Sequence, residues 1–241
     1  MMEALRQFIA ACMLLTRLPV WRLKLAMPRS QTASVWAYPV VGALVGLIGA
    51  GVWALCHVAG LHAWPSAVIT LVAQLLTTGA LHEDGLADLA DGFGGGRDRQ
   101  RKLEIMRDSN IGSYGALALT LSSLLRISAI AGLADPTLWL IAAGALSRTA
   151  MLALLATTKP ARRDGIAATL RDLPKPSVLI GLALGLALAS TLPYPMLAIA
   201  FCGTVSFALR WLTLRQIDGQ TGDVLGACAV LAECAIWSIA A

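Results

Sequence analysis

The chain is 241 residues long, 57% hydrophobic and only 14% charged, with a net charge of +5. Several long stretches carry almost no charge and approach the ~20 residues that cross a bilayer, which excludes a soluble fold in favour of a membrane protein. Basic residues beside membrane spans account for the positive balance without nucleic acid, and five scattered cysteines with no CxxC pair give neither a disulfide framework nor a zinc site.

Residues 1–30 read as an interfacial segment. Phe8–Leu15 is a short apolar run between Arg6 and Arg17 with no small-residue cleavage site after it, so a surface-lying helix is expected rather than a signal peptide. Seven spans are then expected, at roughly 35–58, 64–82, 113–134, 137–157, 177–193, 195–214 and 223–240, with Leu192-Pro193-Tyr194-Pro195 separating the fifth from the sixth. Charge placement tests this layout. Under strict alternation, sixteen of the nineteen Lys and Arg residues fall on one side, and the opposite connections near 59–63, 135–136 and 193–194 hold none. The positive-inside rule makes the basic side cytoplasmic. The expected fold is all-α: one polytopic integral membrane helical bundle over 1–241, of about seven transmembrane helices plus the N-terminal interfacial helix.

Half of the fourteen acids lie within His82–Asp108, and Glu83, Asp84, Asp88 and Asp91 fall within nine residues. Carboxylates near hydrocarbon cost several kcal/mol unless something compensates them. If span two continues helically, Asp84, Asp88 and Asp91 sit at i, i+4 and i+7, within an arc of about 60°; Glu83 points about 100° away. A stripe of hard oxygen ligands favours magnesium, or manganese in its place, over zinc, and such ions complete their shells with phosphates. Gly92, Gly94, Gly95 and Gly96 would let a ligand approach the backbone. The alternative is a solvated helix end whose acids pair with the basic residues Arg97 to Arg107. Either way, 82–112 is the motif region on the cytoplasmic face.

Further on, Asp108 is a ligand or a helix-end residue. Lys159, Arg162 and Arg163 could clamp a diphosphate, although any cytoplasmic loop is expected to be basic. A second polar knot, Asp218-Gly-Gln-Thr-Gly-Asp223, opens the last span, where Asp223 either contacts metal or substrate or simply favours the helix dipole. Glu233 lies inside that span and needs a polar partner, for which Arg126 and Arg148 are the candidates. His57 and His62 belong to the far side, and His82 adjoins the acids.

The stretch LHEDGLADLADGFGGGRDRQRKLEIMRDSNIGSYGALAL, 81–119, resembles the signature region of the cobalamin synthase (adenosylcobinamide-GDP ribazoletransferase) family, and TGDVLGA, 221–227, resembles its second motif. The resemblance implies a magnesium-dependent phosphotransferase of the bacterial inner membrane, acting in cobalamin biosynthesis. It would join adenosylcobinamide-GDP to α-ribazole or α-ribazole 5′-phosphate with release of GMP. Carried onto this chain, Asp84, Asp88 and Asp91 would be catalytic and bind metal, with Glu83 supporting them. Gly92, Gly94, Gly95, Arg97, Asp108, Lys159, Arg162, Arg163 and Asp223 would meet substrate. The expected chemistry is attack by the ribazole 5′-oxygen on the phosphorus attached to cobinamide. The expected partners are these substrates and the lipid bilayer, with no nucleic acid; a homo-oligomer is left open. Asp88-x-x-Asp91-Gly92 is also similar to half of the CDP-alcohol phosphatidyltransferase motif, but the second half is missing. A cation-coupled transporter would instead require midplane acids and inverted repeats.

Overall fold

The computed structural model describes residues 1–240. Among them no strand forms, and one isolated bridge pairs Pro160 with Gln220. In hydrocarbon a helix satisfies its own backbone, so long apolar runs have one stable outcome. The helices in order are α1 (Met2–Leu15), α2 (Tyr38–Val58), α3 (Ala63–Thr78), α4 (Leu81–Gly95), α5 (Arg99–Ile105), α6 (Ser113–Gly132), α7 (Thr137–Thr157), α8 (Ile166–Thr169), α9 (Lys175–Ala189), α10 (Pro195–Ile217) and α11 (Gly222–Trp237). α1 buries Ile9, Cys12 and Leu15 on one side and exposes Leu5 and Met13 on the other, a two-sided helix on the bundle's flank.

α7 forms the axis. It is buried from Trp139 to Leu155 among α2, α9, α10 and α11. α2 crosses it backbone to backbone: a Cβ added to Gly42 would overlap the Gly144 carbonyl, and one on Gly46 would overlap that of Leu140. Where lipid removes the hydrophobic drive between helices, this close approach lets packing hold them together. The outer helices turn apolar side chains outward, including Leu117, Leu121 and Leu124 on α6, Leu179 and Ile180 on α9, and Phe207 on α10. An apolar belt of this extent is a surface for lipid.

The all-α polytopic bundle is present, but fewer helices than expected are long enough to span. Four qualify by length and composition: the run Thr32–Val58 that contains α2, and α6, α7 and α10. α3 and α4 qualify only as a pair, making five, and they meet at 89°. α9 has 15 residues and α11 has 16. α11 is buried along most of its length, so protein neighbours rather than hydrocarbon thickness set its extent.

Helix also does not continue from the expected second span through the acids. Gly79 (φ 65°) and Ala80 (φ 54°) both adopt left-handed backbone, which ends α3 and restarts the chain as α4 in a new direction. With 15 residues and four acids, α4 alone is too short and too charged to be a span.

Candidate active site

α4 carries the acid stripe past the first turn of α11. Gly85 makes the approach possible, because a Cβ there would stand 2.7 Å from the Asp223 carbonyl oxygen. With no side chain between the two helices, Asp84 and Asp88 come beside Asp223, although the motifs are far apart in sequence. Asp84 is exposed and Asp88 half-buried. The Asp88 carboxyl is pushed up to about 7, first by burial and then by the negative charges of Asp84, Asp223 and Asp91, with Arg162 opposing them. Ionised acids crowd this point beyond what the one guanidinium neutralises.

α11 starts with a side-chain cap. Thr221 Oγ1 accepts the Val224 amide at 3.4 Å and donates to Asp223 Oδ2 at 3.0 Å. Arg162 Nη2 donates to the same Oδ2 at 2.8 Å. Arg162 is delivered there by a backbone clamp: the Gln220 amide donates to the Lys159 carbonyl at 2.9 Å, and the Ala161 amide to the Gln220 carbonyl at 2.8 Å. Arg99, which sequence reasoning did not single out, completes the clamp by donating to the carbonyls of Ile217 and Ala161 at 3.0 and 2.6 Å. A cavity of about 330 Å³ lined by Arg107, Arg162, Asp164, Thr221 and Asp223 opens on one side of Asp223. A smaller one of about 100 Å³, lined by Tyr38, His82, Asp84 and Gly85, lies on the other.

Asp91 and Glu83 have other partners. Asp91 is 8% exposed and accepts the Gly112 amide at 2.7 Å and the Gly115 amide at 2.9 Å, one on each oxygen. It thereby caps α6 from a distance, its negative charge at the positive end of that helix. A Cβ on Gly115 would collide with this carboxylate. Glu83 Oε1 meets Arg126 Nη1 at 2.9 Å. Arg126 also pairs with Glu233 at 3.4 Å, and Glu233 with Arg148. The result is a buried alternating chain, Glu83–Arg126–Glu233–Arg148, that ties α4, α6, α7 and α11 together beneath the stripe. The expected partners of Glu233 are the ones it has.

The remaining expected residues are spread more widely. Gly92 is buried against Met106, and Gly94, though exposed, stands against the Tyr114 ring; Gly95 is exposed and meets Ile105 only at ordinary contact. Asp108 is exposed and accepts the Asn110 amide at 3.0 Å, which makes it a turn residue and holds its carboxyl below the usual range. Lys159 pairs with Asp218 at 2.8 Å in solvent. Arg97 and Arg163 are exposed and, among the described residues, make no ion pair.

No group of three His, Cys, Asp or Glu side chains forms a ready-made metal cage among the described residues. Magnesium does not need one, since it keeps several waters and takes one or two carboxylates plus phosphate oxygens. Asp84 and Asp223, hard donors whose repulsion with each other and with Asp88 a cation relieves, fit that mode.

The model of the cobalamin-5-phosphate synthase family matches residues 7–241. Proteins named adenosylcobinamide-GDP ribazoletransferase are similar along most of their length. The one from Mesorhizobium japonicum is 43% identical, covering 96% of this chain and 92% of its own. That from Bradyrhizobium diazoefficiens is 44% identical, covering 99% and 96%; that from Chlorobaculum tepidum is 42% identical, covering 87% and 86%. No solved structure matches. With both acid motifs inside a match of this extent, the chain belongs to the cobalamin-5-phosphate synthase family.

Proposed function

We propose that the protein joins adenosylcobinamide-GDP to α-ribazole or α-ribazole 5′-phosphate with release of GMP, at the cytoplasmic face of a bacterial inner membrane. The observation that carries the reading is the crowding of Asp84, Asp88 and Asp223 beside Arg162 where α4 crosses α11. Family membership and the names of the relatives support the choice of substrates.

Asp84 and Asp223 are the residues that would hold magnesium, since Asp84 and the Oδ1 of Asp223 accept no hydrogen bond among the described residues. When bound, the ion neutralises charge on the diphosphate. Arg162 offers a guanidinium fork beside Asp223, suited to the phosphate oxygens. Asp88, half-buried beside those two acids, is placed to take a hydroxyl proton, burial being the first cause that raises its carboxyl. A ribose hydroxyl oxygen of the acceptor bonds to the phosphorus attached to cobinamide. The bond from that phosphorus to the bridging oxygen breaks, GMP leaves with the oxygen, and the hydroxyl proton passes to Asp88. The nucleophile is not the 5′-oxygen expected from the sequence. A family described by a cobalamin 5-phosphate product keeps a phosphate at that position, so another ribose hydroxyl attacks.

Purified protein supplied with adenosylcobinamide-GDP should release GMP only when an acceptor and magnesium are both added. Absence of release would remove the transferase reading, and release without magnesium would remove the metal.

A further inference from the structure

Beside the acid site lies a larger cavity. About 620 Å³ in volume, it opens between the C-terminal end of α7, the 158–173 segment and the start of α9. Arg171 and Lys175 bring two cations to its lining against one acid, Asp172, beside Lys159, whose charge is paired with Asp218. Leu155, Leu170, Val178 and Leu179 make an apolar wall. Two polar side chains set into the lining are almost wholly buried and unpartnered. Gln220 is 1% exposed and its Oε1 accepts nothing; Thr158 is 6% exposed and its Oγ1 has no partner. Unsatisfied polar atoms are costly to bury, so they mark places where something else supplies the hydrogen bond.

Gln220 also lines the cavity that contains Arg162 and Asp223, so the two spaces share a wall. The backbone clamp to Lys159 and Ala161 fixes that wall in place. A molecule in the larger space would therefore reach toward the acids past Gln220.

We propose that this cavity is the acceptor subsite of the transferase and takes a phosphorylated nucleoside with an apolar base, α-ribazole 5′-phosphate. The phosphate meets Arg171 and Lys175, the fused apolar base lies against Leu155 and Val178, and a sugar hydroxyl donates to Gln220. The identity of the occupant rests on the transferase reading; the chemistry of the lining does not. A guanine base would bring several donors and acceptors to an apolar wall that could not answer them, and a corrinoid ring exceeds a cavity of this size.

The test is calorimetric binding to the full chain in detergent, with and without GDP, using α-ribazole 5′-phosphate, α-ribazole and GDP itself as probes. Arg171 and Lys175 are exposed, so the double variant R171Q/K175Q should fold; it should raise the Kd of the phosphorylated acceptor tenfold or more and that of α-ribazole less than twofold. Gln220→Leu should weaken both acceptors by the same factor, and by more than it weakens GDP. The proposal is overturned by equal weakening of both acceptors in the double variant, by no weakening, by loss of GDP affinity instead, or by no acceptor binding to the unsubstituted chain. GMP release by the same preparation is read separately. Variant-sensitive acceptor binding without GMP release keeps the subsite and removes the transferase. GMP release with variant-insensitive acceptor binding does the reverse.

Discussion

Asp88 is held where its charge is least welcome, half-buried and facing three other acids. Its folded-state pKa lies above the usual carboxylate value. The stability this contributes is therefore present below about pH 4 and is lost as pH rises toward about 7, where the unfolded chain ionises more readily than the native one. Asp88→Asn should melt at a higher temperature than the unsubstituted protein at pH 8, with the difference vanishing near pH 4. Turnover should meanwhile fall by about 10²-fold or more, the scale expected for losing a proton acceptor. A variant that is no more stable at pH 8, or that turns over normally, contradicts the placement. Stability set aside for activity is a recurring pattern at working sites. At this scale the sequence was partly readable: helical spacing placed Asp84, Asp88 and Asp91 on one stripe, and α4 has that stripe. It could not say that Asp91 would be claimed by the Gly112 and Gly115 amides, because only tertiary contact decides which distant backbone donors reach a carboxylate. Glu83 was legible as off the stripe, and Arg126 explains where it goes.

Between elements, the decisive contact is the one between α4 and α11 at Gly85. Gly85→Val would place a branched side chain against the Asp223 backbone and force the helices apart. The expected result is a loss of about 1–3 kcal/mol of stability and a fall in turnover larger than that in binding of either substrate, as measured by thermal denaturation and steady-state kinetics. Unchanged kinetics would show that the separation of Asp84 and Asp88 from Asp223 is immaterial. Nothing local distinguishes a helical glycine that admits a ligand from one that admits a neighbouring helix, and at Gly85 the structure has the helix. The α3–α4 corner was hidden for a different reason. Ala80 is a strong helix former, and nothing local announces that it will adopt φ 54°. The clamp between 159–161 and 218–220 joins segments that no local pattern relates, so the role of Arg99 in bracing it was not readable.

Across the whole molecule, hydropathy and the distribution of Lys and Arg were enough to give an all-α bundle in a bilayer, but not its number of crossings. Length alone cannot separate a helix sized by hydrocarbon from one sized by its protein neighbours, and α11 is the second kind. The proposed orientation can be tested directly, since all five native cysteines are buried and should label poorly. Arg163→Cys should react with a membrane-impermeant maleimide only after cells are opened, and His62→Cys should react in intact spheroplasts; the opposite pattern would invert the protein. The alternating chain Glu83–Arg126–Glu233–Arg148 also bears on how the bundle is made. Arg148 leaves the ribosome 85 residues ahead of Glu233. Until that carboxylate arrives, Arg126 has Glu83 but Arg148 has no acid to pair with, and an unmatched charge in the interior is penalised by several kcal/mol. The earlier helices thus cannot settle into their final arrangement as they are synthesised: closure of the bundle is deferred until the last helix supplies the missing counter-charge.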